Sequence, residues 1–461
     1  MSAGPSLPKP RAVTLTSRGN IEYISDGLYS TQGADVIISA IGARRNVSKL
    51  ILGHNELGDA GTVRLFEFLR SPDAARHRIK EISLNSNKIG NAGLLAIAGF
   101  LKDNTTLNAL FLQDNEFLAD PEVAAILADA VNSSSLEILS VATNRELGDG
   151  FVAAFLPLLN SPSLHELYLS AMDLTPRSLP HITEYLSSNR TQLQTFKCNG
   201  NLLGTRAVRD IIRTIERSNY HLQHLELYSN NLAGGEDDWQ TPDGEEIDNG
   251  LARITWQTCE LQLRRVLMRN AHLKRETEHD ALRLLYYSRA VLLRSARKSR
   301  EREGRCAGCN CYTPGERSSR SPSPVLVEVV PPEGAPHVPS LPIELAYHIL
   351  SFFAPTLSPA QRVRIFNYAA QPETLPRVAQ CEGASKGGGV CVPDPASLDF
   401  AGGGGGGKVW DIEGGGRSSG CGSGKCMGGG SLVCHREQER VRWLSEVGCN
   451  AYEPQRVDDT L

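Results

Sequence analysis

Residues 107–117 read LNALFLQDNEF, and this stretch decides how the rest of the chain is parsed. Leu107, Leu110, Leu112 and Phe117 hold its apolar positions, and Asn115 holds a polar slot between them. The same template recurs on both sides. Toward the N-terminus it appears as IKEISLNSNKI with Asn87 in the slot and VSKLILGHNEL with Asn55. Toward the C-terminus it appears as LEILSVATNREL with Asn144, LHELYLSAMDL with Met172, LQTFKCNGNLL with Asn201 and LQHLELYSNNL with Asn230. Successive slots lie 32, 28, 29, 28, 29 and 29 residues apart. A fixed period of this length marks a repeat architecture.

Each repeat has a direct physical reading. Alternating leucines predict a short strand with one buried face. The slot asparagine turns its amide toward backbone groups that stacking would otherwise bury without partners. After each bend comes a helical segment, such as DAGTVRLFEFL at residues 59–69 or NAGLLAIAGFL at 91–101, with apolar residues three and four apart. One strand–helix unit is too small to cover its own apolar face, so neighbours must stack.

The spacing, together with the Leu-Gly-Asp-Ala-Gly lead-in to a helix at residues 57–61, resembles the ribonuclease-inhibitor class of leucine-rich repeats. The resemblance runs from Ile21 to Leu232, with residues 21–43 taken as a degenerate N-terminal capping unit. It implies an α/β fold: a solenoid shaped as a partial horseshoe, parallel strands inside and helices outside. Met172 in the asparagine slot and the additional Arg145 before Leu147 predict a locally irregular inner ladder there.

Strand positions that point away from the core are the natural contact residues. The residue between the two strand leucines is Ile51, Ser83, Phe111, Ser140, Tyr168, Lys197 and Glu226 in successive repeats, and the residue after the second leucine is Tyr228 in the last. Aromatic side chains exposed on a rigid concave surface are typical anchors for a protein partner. Phe111, Tyr168, Lys197, Glu226 and Tyr228 are therefore the expected partner-binding residues. His54, His165, His181, His221 and His224 are scattered and form no metal-binding spacing. Neither a catalytic constellation nor a cofactor or metal site is expected, so the chain reads as a non-enzyme.

Composition narrows the function classes. The 461 residues carry a net charge of −4, which gives no global basic field for nucleic acid. The longest apolar run, near residues 93–101, is about half a bilayer span. No secretory leader is visible at the start, so the eleven cysteines read as reduced thiols of a cytoplasmic protein, with nuclear residence also compatible.

The remaining chain divides by composition. Residues 1–20 read as a disordered tail, 21–235 as the repeat domain and 236–250 as an acidic linker. Residues 251–303 read as one long basic amphipathic helix or a helical pair, with Leu261, Leu263, Val266, Leu267 and Leu273 on one stripe, capping the open end of the repeats. A Pro/Ser-rich linker follows at 304–339, a short helical segment at 340–378 and a glycine-rich disordered stretch at 379–431. Residues 432–461 read as a C-terminal helix and tail, with Val441, Trp443, Leu444 and Val447 on the apolar side. The glycine-rich stretch mimics a phosphate loop at residues 402–408, but Val409 occupies the hydroxyl position and no strand precedes it, so no nucleotide site is expected.

Within 340–378, Leu341, Pro342, Glu344, Leu345, Ile349, Leu350 and Phe353 resemble the opening of an F-box. That resemblance implies docking to a ubiquitin-ligase scaffold subunit, with the repeats holding substrate. The repeat class also includes Ran GTPase-activating proteins, which carry an acidic tail after similar repeats. Glu236, Asp237, Asp238, Asp243, Glu245, Glu246 and Asp248 form such a stretch here, so a small GTPase is an alternative partner. The main expectation is a protein-binding scaffold; a GTPase activator and a ligase adaptor are the alternatives.

Overall fold

The computed structural model describes residues 19–231, 256–303, 342–374 and 435–454. The chain divides into two compact units, Met1–Ala271 and His272–Leu461.

The first unit is α/β. Its eight strands are β1 (Asn20–Glu22), β2 (Lys49–Ile51), β3 (Glu81–Ser83), β4 (Ala109–Phe111), β5 (Ile138–Ser140), β6 (Glu166–Tyr168), β7 (Thr195–Lys197) and β8 (His224–Glu226). They form one open, all-parallel sheet in sequence order. Parallel neighbours require a crossover, and a helix supplies each one. These are α1 (Ser30–Gly42), α2 (Gly58–Leu69), α3 (Asn91–Leu101), α4 (Pro121–Asn132), α5 (Gly148–Phe155), α6 (Leu179–Ser187) and α7 (Gly204–Ser218). Such alternation is compatible with a repeat solenoid. The central strand residues Leu50, Ile82, Leu110, Leu139, Leu167, Phe196 and Leu225 are buried in one continuous core with the inner faces of the helices. Period-two alternation therefore leaves the flanking strand residues on the opposite face.

The slot asparagines tie one repeat to the next. Asn201 Nδ2 donates to the carbonyls of Cys198 (3.1 Å) and Leu169 (2.9 Å), while its Oδ1 accepts from the amides of Met172 (2.8 Å) and Leu174 (3.2 Å). Asn144 likewise reaches Val141 and Leu112 and accepts from the Asn115 amide. The residue before each slot turns the chain sharply: His54, Ser86, Asp114, Thr143, Ala171, Gly200 and Ser229 all have positive φ.

The Leu-Gly-Asp-Ala-Gly lead-in has a structural reason. Asp59 Oδ1 accepts from the amides of Gly90 (2.8 Å) and Gly93 (2.7 Å), so the start of α2 caps the start of α3. A Cβ on Gly93 would lie 2.3 Å from Ile89 Cγ2, which explains the glycine.

The structure corrects the expectation of an irregular ladder around Arg145 and Met172. β4, β5, β6 and β7 pair in unbroken register. The additional residue is absorbed beyond the strand, in a 3-10 turn at Arg145–Leu147 that feeds α5. Met172 is fully buried and takes up its slot with apolar volume. At the N-terminal end, residues 20–42 supply a strand and a helix in register with the rest.

Residues 256–303 form a single helix, α8 (Trp256–Glu303), whose first part belongs to the first unit. Cys259, Leu263 and Val266 enter the core of the repeats. Arg269 donates to the carbonyls of Ile215, Glu216 and Asn219, capping the C-terminus of α7, and Asn270 Nδ2 donates to Leu222 O at 2.7 Å. Leu261 departs from the expected stripe and is 64% exposed.

The second unit has its own core. The later part of α8 contributes Ala281, Leu282, Leu284, Leu285 and Leu292, packed with residues of α9 (Ile343–Ser351), α10 (Pro359–Ala370) and α11 (His435–Glu446). The short helical segment and the C-terminal helix thus share one core instead of standing apart. Gln361 Nε2 joins them by donating to the carbonyls of Gly448 (2.9 Å) and Ala451 (3.0 Å). Trp443, Leu444 and Val447 face this core as expected, but Val441 is 55% exposed. The acidic linker, the Pro/Ser-rich linker and the glycine-rich stretch lie outside the described residues.

Candidate functional site

The face of the sheet opposite the helices is built in rows, because in-register parallel strands place equivalent residues side by side about 4.8 Å apart. Phe111, Ser140, Tyr168, Lys197 and Glu226 are direct ladder partners on β4 to β8 and form one such row. The row spans about 19 Å at that strand spacing. Four of the five expected contact residues therefore share a row, and Tyr228 stands just beyond the end of β8, 49% exposed.

At one end of the row the side chains interlock. The Tyr168 hydroxyl donates to Glu166, two residues earlier on the same strand face. Lys197 Nζ lies 4.7 Å from the centroid of the Tyr168 ring and 3.0 Å from Glu226 Oε1. Tyr228 donates its hydroxyl to Glu226 Oε2 at 3.2 Å. An ammonium thus sits against a phenol ring and a carboxylate, while Glu166 holds the hydroxyl of that ring and Tyr228 holds the second oxygen of that carboxylate. Burial, followed by the hydrogen bond to Glu166 and its charge, pushes the Tyr168 hydroxyl well above its ordinary titration range, so it remains a donor. Sequence reasoning missed Glu166. It read the residue between the two leucines of each repeat and the residue after the second leucine, whereas Glu166 stands two residues before Tyr168 on the same face.

Phe111 lies two strands away from Tyr168. Ser140 separates them, and it is fully buried with an Oγ that has no hydrogen-bond partner among the described residues. Lys49 and Glu81 make a second ion pair on this face, at the other end of the sheet.

Elsewhere, the helix layer carries a groove of about 370 Å³ between α3 and α4, lined by Leu95, Ala98, Gly99, Ala125 and Ile126, with the Lys102–Asp129 ion pair (2.9 Å) at its wall. Among the F-box-like residues, Leu341 lies outside the described residues. Pro342 immediately precedes α9 and Glu344 is exposed in its first turn. Leu350 is buried, and Phe353 packs against Tyr287 with ring centroids 4.5 Å apart. Leu345 and Ile349 instead point outward, 50% and 45% exposed, and the neighbouring Phe352 is 73% exposed.

Among the described residues, no group of three or more His, Cys, Asp or Glu is placed to hold a metal ion, and no helix is long and apolar enough to cross a membrane. Neither a protein-family model nor a curated protein matches the chain.

Proposed function

We propose that the first unit is a leucine-rich-repeat solenoid of the ribonuclease-inhibitor type, and that the protein is a non-enzymatic scaffold holding a protein partner on the concave face of those repeats. The observation that carries this reading is the row from Phe111 to Glu226: aromatic and charged side chains held in fixed register on one face of a sheet whose other face is the core. Such a wall is preorganised, so a partner loses little of its binding energy to ordering the surface. Aromatic anchors flanked by charge are what a partner interface concentrates.

The test is joint replacement of Phe111, Tyr168 and Tyr228 by alanine. Affinity purification followed by mass spectrometry recovers a partner with the wild type and loses it with the triple variant, while thermal unfolding stays close to wild type. Unaltered recovery refutes this surface.

A second reading is favoured by the outward Leu345 and Ile349 on α9 and Phe352 just beyond its end, spaced as one apolar stripe. In that reading the stripe docks a ubiquitin-ligase scaffold subunit, as the F-box resemblance implies, and the repeats present substrate. Replacing Leu345 and Ile349 by serine then breaks co-purification with the ligase scaffold without unfolding the helical core. Retained co-purification refutes it.

A further inference from the structure

The partner-facing row contains a cation that the protein supplies to itself. Lys197 Nζ is 4.7 Å from the Tyr168 ring centroid and 3.0 Å from Glu226, while Glu166 accepts from the Tyr168 hydroxyl and Tyr228 donates to Glu226. A ring face and a carboxylate converging on one ammonium is the arrangement that recognises lysine and arginine side chains in general. We propose that this cage, built by Glu166, Tyr168, Glu226 and Tyr228, is the docking point for a lysine or arginine of a basic protein segment, and that Lys197 is its intramolecular competitor. The inference rests on the scaffold reading and specifies the chemistry of the partner.

Two further observations support it. The open face of the sheet is rich in carboxylates beyond those its own lysines neutralise. Lys49 pairs with Glu81 and Lys197 with Glu226, whereas Glu22 and Glu166 have no ion-pair partner among the described residues. An incoming basic segment therefore meets complementary charge along the row. Beside the cage, the fully buried Ser140 lies between Phe111 and Tyr168 in the row, and its Oγ has no hydrogen-bond partner among the described residues. A buried hydroxyl left in this way is satisfied when the flanking rings part and a peptide backbone or guanidinium group reaches it.

The experiment uses the full chain and fluorescein-labelled nonapeptides of arginine, lysine and glutamate, read by fluorescence anisotropy at fixed salt. Lys197→Met empties the cage, and Lys49→Met is its control, because it removes the same charge from the same face where no ring stands. Lys197→Met tightens binding of the arginine or lysine peptide by about fivefold or more, whereas Lys49→Met changes it by less than about twofold. Adding Tyr168→Ala or Glu226→Gln to Lys197→Met removes the gain. Comparing the two basic peptides distinguishes guanidinium from ammonium recognition. Equal effects of Lys197→Met and Lys49→Met overturn the cage, because they leave only general electrostatics. Absence of any preference for the basic peptides over the glutamate peptide overturns the basic-partner assignment. In that case, loss of partner recovery by the triple aromatic variant still upholds the scaffold reading, so the two fail separately. Should Tyr168→Ala lower the unfolding temperature, Glu226→Gln with Lys197→Met separates the same outcomes without touching the ring.

Discussion

Asn201 makes four hydrogen bonds to backbone groups from a side chain that is 1% exposed, and its replacement by alanine tests how the repeats are held together. Of the groups it serves, Cys198 O keeps a second donor, Asn230 Nδ2 at 2.9 Å. Leu169 O loses its side-chain donor, and the amides of Met172 and Leu174, both in fully buried residues, lose their acceptor. An orphaned buried amide costs about 1–3 kcal/mol, so the two together cost about 4 kcal/mol. For a unit of this size, with about 2–4 °C per kcal/mol, the unfolding temperature falls by about 8–16 °C. The decisive assay is hydrogen exchange followed by mass spectrometry on peptides covering residues 164–203, because it isolates this region from the second unit. In Asn201→Ala the amides of Met172 and Leu174 exchange fast while those at β2 and β3 keep their protection. Asn201→Asp keeps the acceptor and loses the donor, and falls between the two. If Asn201→Ala costs less than about 1 kcal/mol and the two amides stay protected, the asparagine is ornamental to the stack and the reasoning fails.

Other substitutions probe separate joints of the fold. Gly93→Ala forces a Cβ to within 2.3 Å of Ile89 Cγ2 and 2.9 Å of Asp59 Oδ1, and destabilises the first unit by about 1–3 kcal/mol in urea unfolding. Asp120→Ala removes the cap on the Glu122 amide (2.8 Å) at the start of α4 and costs about 1 kcal/mol in the same assay. Burial pushes the Cys198 and Cys449 thiols up to about 12, so neither reacts with a thiol reagent at pH 8 until the protein unfolds. Because the ordinary thiol value is 9.0, the unfolded chain loses these protons first, and stability falls as pH rises above about 9. A native protein that labels both thiols rapidly at pH 8 contradicts their burial.

Much of the first unit is legible in the sequence because a strand has a period of two. Leu110 between Ala109 and Phe111 fixes which face is buried, and a slip of one residue would expose every such leucine at once. The same logic places Phe111, Tyr168, Lys197 and Glu226 on one face from the residue pattern alone. Their interlocking is not legible there, because it depends on rotamers and on Glu166, which carries no mark in the repeat template. Arg145 misleads for a related reason: an insertion counted along the chain does not reveal whether the strand or the bend absorbs it. On α8, the better stripe is Cys259, Leu263, Val266 and Asn270, spaced four, three and four residues apart. Leu261 lies about 200° around the helix from Leu263 and so belongs to the opposite side. In the second unit the helices are visible one by one, but hydrophobic periodicity says nothing about which segment pairs with which. Nothing in the sequence pattern joins Gln361 to Ala451.

If the proposed surface is the docking face, its in-register strands and the Lys197 side chain held between Tyr168 and Glu226 together constrain how a partner binds. Strand spacing and the core beneath fix Tyr168 and Glu226, so the only long flexible side chain between them is Lys197. A partner cation must displace that lysine, which is tethered and hence present at high effective concentration. One exchanged cation against another yields little net energy. Binding that is strong must therefore come from elsewhere along the row, from Ser140 and Phe111, about 5 and about 10 Å from Tyr168 at the strand spacing, or from Glu22 at the other end of the sheet, which has no ion-pair partner among the described residues. The cage then sets which segments bind, while the aromatic and acidic positions set how tightly. This division of labour makes a further distinction measurable. Lys197→Met widens the selectivity between basic and neutral segments of the same apolar pattern. The basic segment gains an empty cage, whereas the neutral one must now cover Glu226 with no cation beside it, which costs desolvation without return. If both segments tighten equally in Lys197→Met, the lysine is only a steric obstacle and the cage has no part in recognition.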